Sequence, residues 1–144
     1  PDECEHWVKR AAVISELGYH ANALKCLEQA SALDDTRADV WVERGRAIRR
    51  LADQTTPTGA NPVITRLSGA VSRYEEAIRS YDSALARDPR NVDALYEKGA
   101  CLIEAGRPSS DWSKVAEALI CFRAVLRIDP SHKAAAAAIR QCGG

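Results

Sequence analysis

Histidine and cysteine have the widest chemical reach of any residues in this chain. His6, His20 and His132 are scattered along it, and the five cysteines stand at positions 4, 26, 101, 121 and 142. Imidazole and thiolate are zinc ligands, and Cys4-Glu5-His6 sets one of each beside a carboxylate. A zinc site needs three or four converging ligands, however, and this group is terminal and isolated. The cysteine count is odd and no Cys-x-x-Cys pair occurs. Cys26, Cys101 and Cys121 fall among apolar residues, where a thiol packs as a small hydrophobe. A redox or metal role for the thiols is the lesser alternative. No Gly-rich phosphate loop and no nucleophile elbow is present. Asp34-Asp35 and Asp88 read as helix-end residues before turns. The sequence thus predicts no enzyme, no catalytic residue, no metal and no cofactor. The thiols suit a reducing, cytoplasmic compartment.

The bulk properties narrow the partners. The chain has 144 residues, about one domain, with 20 Lys+Arg against 20 Asp+Glu. Zero formal charge argues against nucleic acid as a partner, since counterion release needs a basic footprint. No apolar run approaches the ~18 residues of a membrane span. No signal peptide is recognisable. Methionine is absent even from position 1, which points to a processed product or a piece of a longer protein.

The elements that would position any site show a repeat. Trp7 and Trp41 are 34 residues apart. Four residues later come Ala11 and Gly45, and Leu95 is followed by Gly99 at the same spacing. The segments "NALKCLEQASALDD", "EAIRSYDSALARDP" and "EALICFRAVLRIDP" share one pattern. A small residue (Ala23, Ala77, Ala118) precedes a large one by four (Leu27, Tyr81, Phe122), and Asp34, Asp88 and Asp129 close the segments. Pro follows two of these Asp residues and stops a helix. Trp7, Ala11, Ile14 and Leu17 form an amphipathic helical stripe. Small residues let neighbouring backbones approach, and large ones fill the space between layers. One such unit cannot bury its own face, so stacking is obligatory.

These residues, with Leu17-Gly18 and Ala105-Gly106 at the helix turns, resemble the tetratricopeptide repeat family over nearly the whole chain. The resemblance implies an all-α, right-handed α-solenoid of antiparallel helix pairs in a single domain, 1–144. Repeat one covers about 4–37. Repeat two covers about 38–91, with an insertion near 52–71. Repeat three covers about 92–131, with a short insertion near 107–113. A C-terminal helix at about 132–142 closes the stack through Ala136 and Ile139, or begins a repeat that continued in a parent chain.

The insertions follow from counting. Ala23 lies sixteen residues after Trp7, but Ala77 lies thirty-six after Trp41, and Ala118 twenty-three after Leu95. In repeat two, 54–60 reads as loop. Asn61-Pro62 then reads as a helix start, with Asn as cap and Pro in the first turn. From Ile64 the apolar residues Leu67, Val71, Tyr74, Ile78, Tyr81 and Leu85 step alternately by three and four, predicting one unbroken helix of about 26 residues. Gly69 is read as a weak helical residue. In repeat three, Ser109 or Ser110 is the expected cap, and Trp112, Val115, Leu119, Phe122 and Leu126 form the stripe. Both second helices should therefore be lengthened. Ile64, Leu67 and Trp112 either pack together or form a second docking surface for a partner.

In the family, first helices line a concave groove that takes a peptide or helix. The resemblance and the helical phase place Glu5, Val8, Ala12 and Ser15 there, then Asp39, Val42, Arg46 and Arg49, then Asp93, Tyr96, Ala100 and Ile103, with Glu43 and Glu97 adjacent. Glu5, Asp39, Glu43, Asp93 and Glu97 would make one edge acidic, and Arg46, Arg49 and Arg50 a basic spot. Val8, Val42 and Tyr96 would be apolar anchors. Members that grip acidic chaperone tails carry Lys, Asn and Arg where this chain has Val8, Ala12, Glu43, Asp93 and Glu97. The expected partner is therefore a basic or mixed-charge protein segment. The expected function is a protein–protein interaction scaffold. The alternative is a structural or self-associating module that forms a homo-oligomer. A solvated helix face is the other reading of the charges.

Overall fold

A computed structural model describes residues 2–55, 61, 63 and 69–143. Among these, the chain forms α1 (Glu3–Glu16), α2 (His20–Leu33), α3 (Ala38–Thr55), α4 (Ala70–Arg87), α5 (Val92–Gly106), α6 (Trp112–Ile128) and α7 (Lys133–Gln141), with a 3-10 turn at Arg107–Ser109. No strand occurs among the described residues. The helices pair as α1 with α2, α3 with α4 and α5 with α6, and successive pairs stack, giving an α-solenoid of helix pairs. The small-to-large pattern is the reason. A Cβ on Gly45 would lie 2.5 Å from a Tyr81 ring carbon, and one on Gly99 would lie 2.7 Å from the Phe122 ring. Each glycine is the seat for one buried ring. In the first pair Ala11 and Leu27 share one cluster with Ala23, Cys26 and Ala47.

Each closing Asp starts the next turn. The backbone at Asp34, Asp88 and Asp129 is extended, which stops the helix. The freed carboxylates accept from the backbone N–H two residues on, at Thr36, Arg90 and Ser131. Asn91, Asp111 and His132 then cap α5, α6 and α7 with side-chain acceptors.

Layers approach more closely on one side. Among the described residues α1 touches α3, and α3 touches α5, while no comparable contact joins α2 to α4 or α4 to α6. The first helices therefore lie on the inside of the curve.

The second helices of repeats two and three are lengthened, to 18 and 17 residues against 14 in α2. The unbroken helix from Asn61 does not form. Gly69 has φ 76°, a left-handed value that no α-helix passes through, and α4 starts at Ala70. Asn61 does cap locally, with its Oδ1 accepting from the Val63 N–H at 2.8 Å. Gln54 and Thr55, expected in a loop, belong to α3. Asp53 holds them near the second helix by accepting a 2.6 Å hydrogen bond from the Tyr74 hydroxyl. Ile64 and Leu67 lie outside the described residues.

Three smaller expectations also change. Leu17 follows α1 as its cap and is 69% exposed, so it leaves the packing stripe. Ser110 takes a left-handed φ of 52° and Asp111 caps α6 instead, because its carboxylate reaches the Ser113 N–H at 3.1 Å. In α7 the buried contact is Ala135, flanked by Ala138 and Ile139, rather than Ala136 with Ile139.

Candidate functional site

The residues expected in the groove come from three helices, and their apolar members are already occupied. Val42 is buried at 4% exposure in the core between α3 and α4. Its phase follows Gly45 and Ile48 rather than the open face. Val8 packs on the cluster of Cys4, Ala30 and Val40. The Tyr96 ring lies 5.7 Å from Phe122 and 5.1 Å from His132, centroid to centroid. Ala12 is exposed, and Ser15 is buried at 8% exposure. None of the three proposed apolar anchors stands open.

What remains is charge, and it is organised. Arg37 gathers the N-terminal carboxylates, at 2.7 Å from Glu5, 2.6 Å from Asp39 and 3.4 Å from Asp2. Arg46 lies 2.7 Å from Glu43, 3.7 Å from Asp93 and 3.8 Å from Glu97. Arg49 donates to Glu97 at 2.5 Å. Glu43, Asp93 and Glu97 of the acidic edge and Arg46 and Arg49 of the basic spot thus form one interleaved ladder across α3 and α5. Burial alone would push the Arg46 and Arg49 guanidiniums down. The facing carboxylates, Glu43 for Arg46 and Glu97 for Arg49, more than reverse this and hold both above their usual range.

Arg46, Arg49, Arg50, Asp53 and Glu97 line a cleft of ≈ 180 Å³. Asp53 was not expected in this site; its spacing of four from Arg49 and three from Arg50 is the signal that could have found it. Arg50 reaches away from the ladder and donates to Ser15 Oγ at 2.8 Å. Ser15 Oγ in turn lies 2.9 Å from His20 Nδ1. Desolvation, then Arg50, push the His20 imidazole below its ordinary value, against a smaller pull from Asp53. The unfolded chain therefore binds this proton first. Stability should fall as pH drops from about 6.5 toward the lower folded value. Unfolding midpoints followed across pH 7.5 to 5 should show this slope, and His20→Gln should reduce it.

Burial pushes Cys101 up to about 12, and Cys4 and Cys121 are raised mainly by the same cause. No group of three or more His, Cys, Asp or Glu among the described residues could hold a metal ion. No helix among them is long and apolar enough to cross a membrane. Trp112 is 74% exposed, so no described residue covers it.

Known proteins share this fold. A family model described as tetratricopeptide repeat matches residues 69–133. The second such domain of human RPAP3, solved in complex with an HSP70 peptide, has a TM-score of 0.73 at 18% identity, over 98% of this chain and 98% of that one. The Arabidopsis OM64 domain gives 0.75 at 17% identity, over 98% and 94%. The Yersinia enterocolitica type III secretion translocator chaperone SycD gives 0.76 at 13% identity, over 99% and 93%. In sequence the chain is 29% identical over 93 residues to a probable UDP-N-acetylglucosamine–peptide N-acetylglucosaminyltransferase SPINDLY of Hordeum vulgare. That match takes in 64% of this chain but only 9% of the relative, whose glycosyl transfer is its own property. Residues 69–133 thus match the tetratricopeptide repeat by sequence, and nearly the whole chain shares the fold of tetratricopeptide repeat domains.

Proposed function

We propose that the chain is a protein–protein interaction scaffold whose inner face binds a mixed-charge segment of a partner. The observation that carries this reading is the ladder of Arg46, Arg49, Glu97 and Asp93 over a cleft. Asp93 is the loosest member, 3.7 Å from Arg46 with its side chain 68% exposed. A lysine or arginine of a partner can take its place beside Asp93 and Glu43. A partner carboxylate can meet Arg49 or the exposed Arg50. Alternating charge on the segment matches alternating charge on the helices. The heat-shock peptide held by the human RPAP3 domain supports peptide binding as the mode. The departures at Val8, Ala12, Glu43, Asp93 and Glu97 argue against a purely acidic tail. Residues 1–144 then act as one repeat domain.

Affinity selection from a displayed peptide library tests this. Selected peptides should carry basic residues near acidic ones, and Asp93→Lys should weaken them by roughly tenfold. Recovery of uniformly acidic peptides, or unchanged affinity in Asp93→Lys, overturns the reading.

A second surface has one observation behind it. Trp112 and Ile120 are 74% and 62% exposed on one ridge of α6, with exposed Ala116 between them. We assign this ridge to self-association. Sedimentation equilibrium that shows a strict monomer at high concentration removes it.

A further inference from the structure

The opposite side of α3 carries a feature that the groove does not use. Aligned by repeat, Arg10, Arg44 and Lys98 occupy one position on the three first helices, each three residues after Trp7, Trp41 or Leu95. In the third layer this cation is neutralised, since Lys98 lies 2.7 Å from Asp82 and 3.3 Å from Glu117. In the second layer the surroundings differ. Ser80 stands where the other repeats have Cys26 and Cys121. Arg87 stands where they have Leu33 and Ile128. Repeat two alone makes both changes, and Arg79 and Ser83 lie on the same face of α4.

Trp41, Arg44, Glu76, Arg79, Ser80 and Ser83 line a cleft of ≈ 300 Å³. Arg44 donates to Ser80 Oγ at 2.7 Å and lies 3.6 Å from Glu76. Ser80 is 1% exposed, and because its oxygen accepts from Arg44 its own O–H remains to donate. The Arg87 guanidinium lies 4.8 Å from the Trp41 ring centroid and that of Arg44 lies 6.0 Å away. Arg87 donates to the backbone carbonyls of Asp35 and Ser83 and forms no ion pair among the described residues. Arg79 is exposed and forms no ion pair among the described residues. Two guanidiniums, those of Arg44 and Arg79, thus line the cleft against one carboxylate, and the Arg87 guanidinium stands beside it against the Trp41 ring.

We propose that this cleft binds a phosphoryl group. A net positive lining, with Arg87 adding positive charge alongside, suits an anion, and guanidinium forks with a buried hydroxyl donor suit the several oxygens of a phosphoryl group. The polar lining does not suit an apolar ligand. Arg44 emerges roughly 160° around α3 from Arg46, so this site and the groove can be filled together. The group belongs either to a free phosphate ion or to a phosphorylated side chain of a partner.

Proton–nitrogen correlation spectra of the intact chain test this, because Trp7, Trp41 and Trp112 each give one indole signal. Sodium phosphate, phosphoserine and sodium acetate are titrated at constant ionic strength. Phosphate and phosphoserine should shift Trp41 saturably and leave Trp7 and Trp112 in place. Acetate should bind roughly tenfold more weakly, and R79Q should weaken phosphate by a similar factor. R90Q, an exposed change outside the cleft, should alter nothing. Tighter binding of phosphoserine than of phosphate assigns a phosphorylated side chain, and equal binding assigns the free ion. No saturable Trp41 shift, acetate as tight as phosphate, or unchanged affinity in R79Q overturns the proposal. R79Q removes no contact that the fold needs, so loss of structure does not confuse the result.

Discussion

Phe122→Ala is expected to cost roughly 3–5 kcal/mol, the largest single loss from the third layer. Phe122 is 1% exposed and sits among Leu102, Ala118, Cys121, Val125 and Ala135. Its ring also fills the hollow over Gly99 and meets Tyr96. Truncation would leave a cavity bordered by a glycine, which has no side chain to move in. The same cluster holds α7 through Ala135, so the terminal helix should loosen with it. Urea unfolding should show the fall in midpoint. Trp112→Ala, at an exposed aromatic of similar size, should stay within about 0.5 kcal/mol. Equal effects of the two changes would contradict the packing described here.

Gly45→Ala should be the most costly addition of a single carbon. The new Cβ would fall 2.5, 2.7 and 2.9 Å from three carbons of the Tyr81 ring. That ring is fully buried beside Ala77 and Ala84, so it cannot swing aside. Overpacking of this kind costs about 1–3 kcal/mol. The first layer supplies the remedy, because it pairs Ala11 with Leu27. Gly45→Ala combined with Tyr81→Leu should therefore be more stable than the sum of the single changes predicts. The Tyr81 hydroxyl is buried with no hydrogen-bond partner among the described residues, so leucine removes no polar contact there. Strict additivity of the two substitutions, measured in a double-mutant cycle, would show that the residues do not compete for the same space.

These same pairs explain which parts of the fold were legible in the sequence. A seat and its ring, such as Gly45 with Tyr81, recur at fixed spacing, so the repeat exposes them without coordinates. The closing Asp residues are legible for the same reason. Gly69 was not. A glycine in a helical stripe can be a weak helical residue or a left-handed break, and the apolar spacing is identical in both cases. Val42 was misplaced because one helical position separates the open face from the core. The ladder of Arg46, Arg49 and Glu97 was half legible. Its charges stood in the right helices, but 48 residues separate Arg49 from Glu97, and nothing local shows that they pair. The Trp41 cleft was open to discovery, since aligning Ser80 with Cys26 and Cys121 already isolates repeat two.

The order of helix contacts has a kinetic consequence. Each helix packs mainly on the helix next to it in the chain. Loop closures are then short, and folding in about milliseconds or less is expected. Because no helix from one end braces the other among the described residues, opening should begin at the ends and travel inward one helix at a time. Amide exchange should be fastest in α7, where Ala135 is the only buried residue, and slowest in α3 and α4, which are flanked on both sides. The charge ladder joins α3 to α5, so a partner bound across it would fasten the middle of the stack and slow that unzipping.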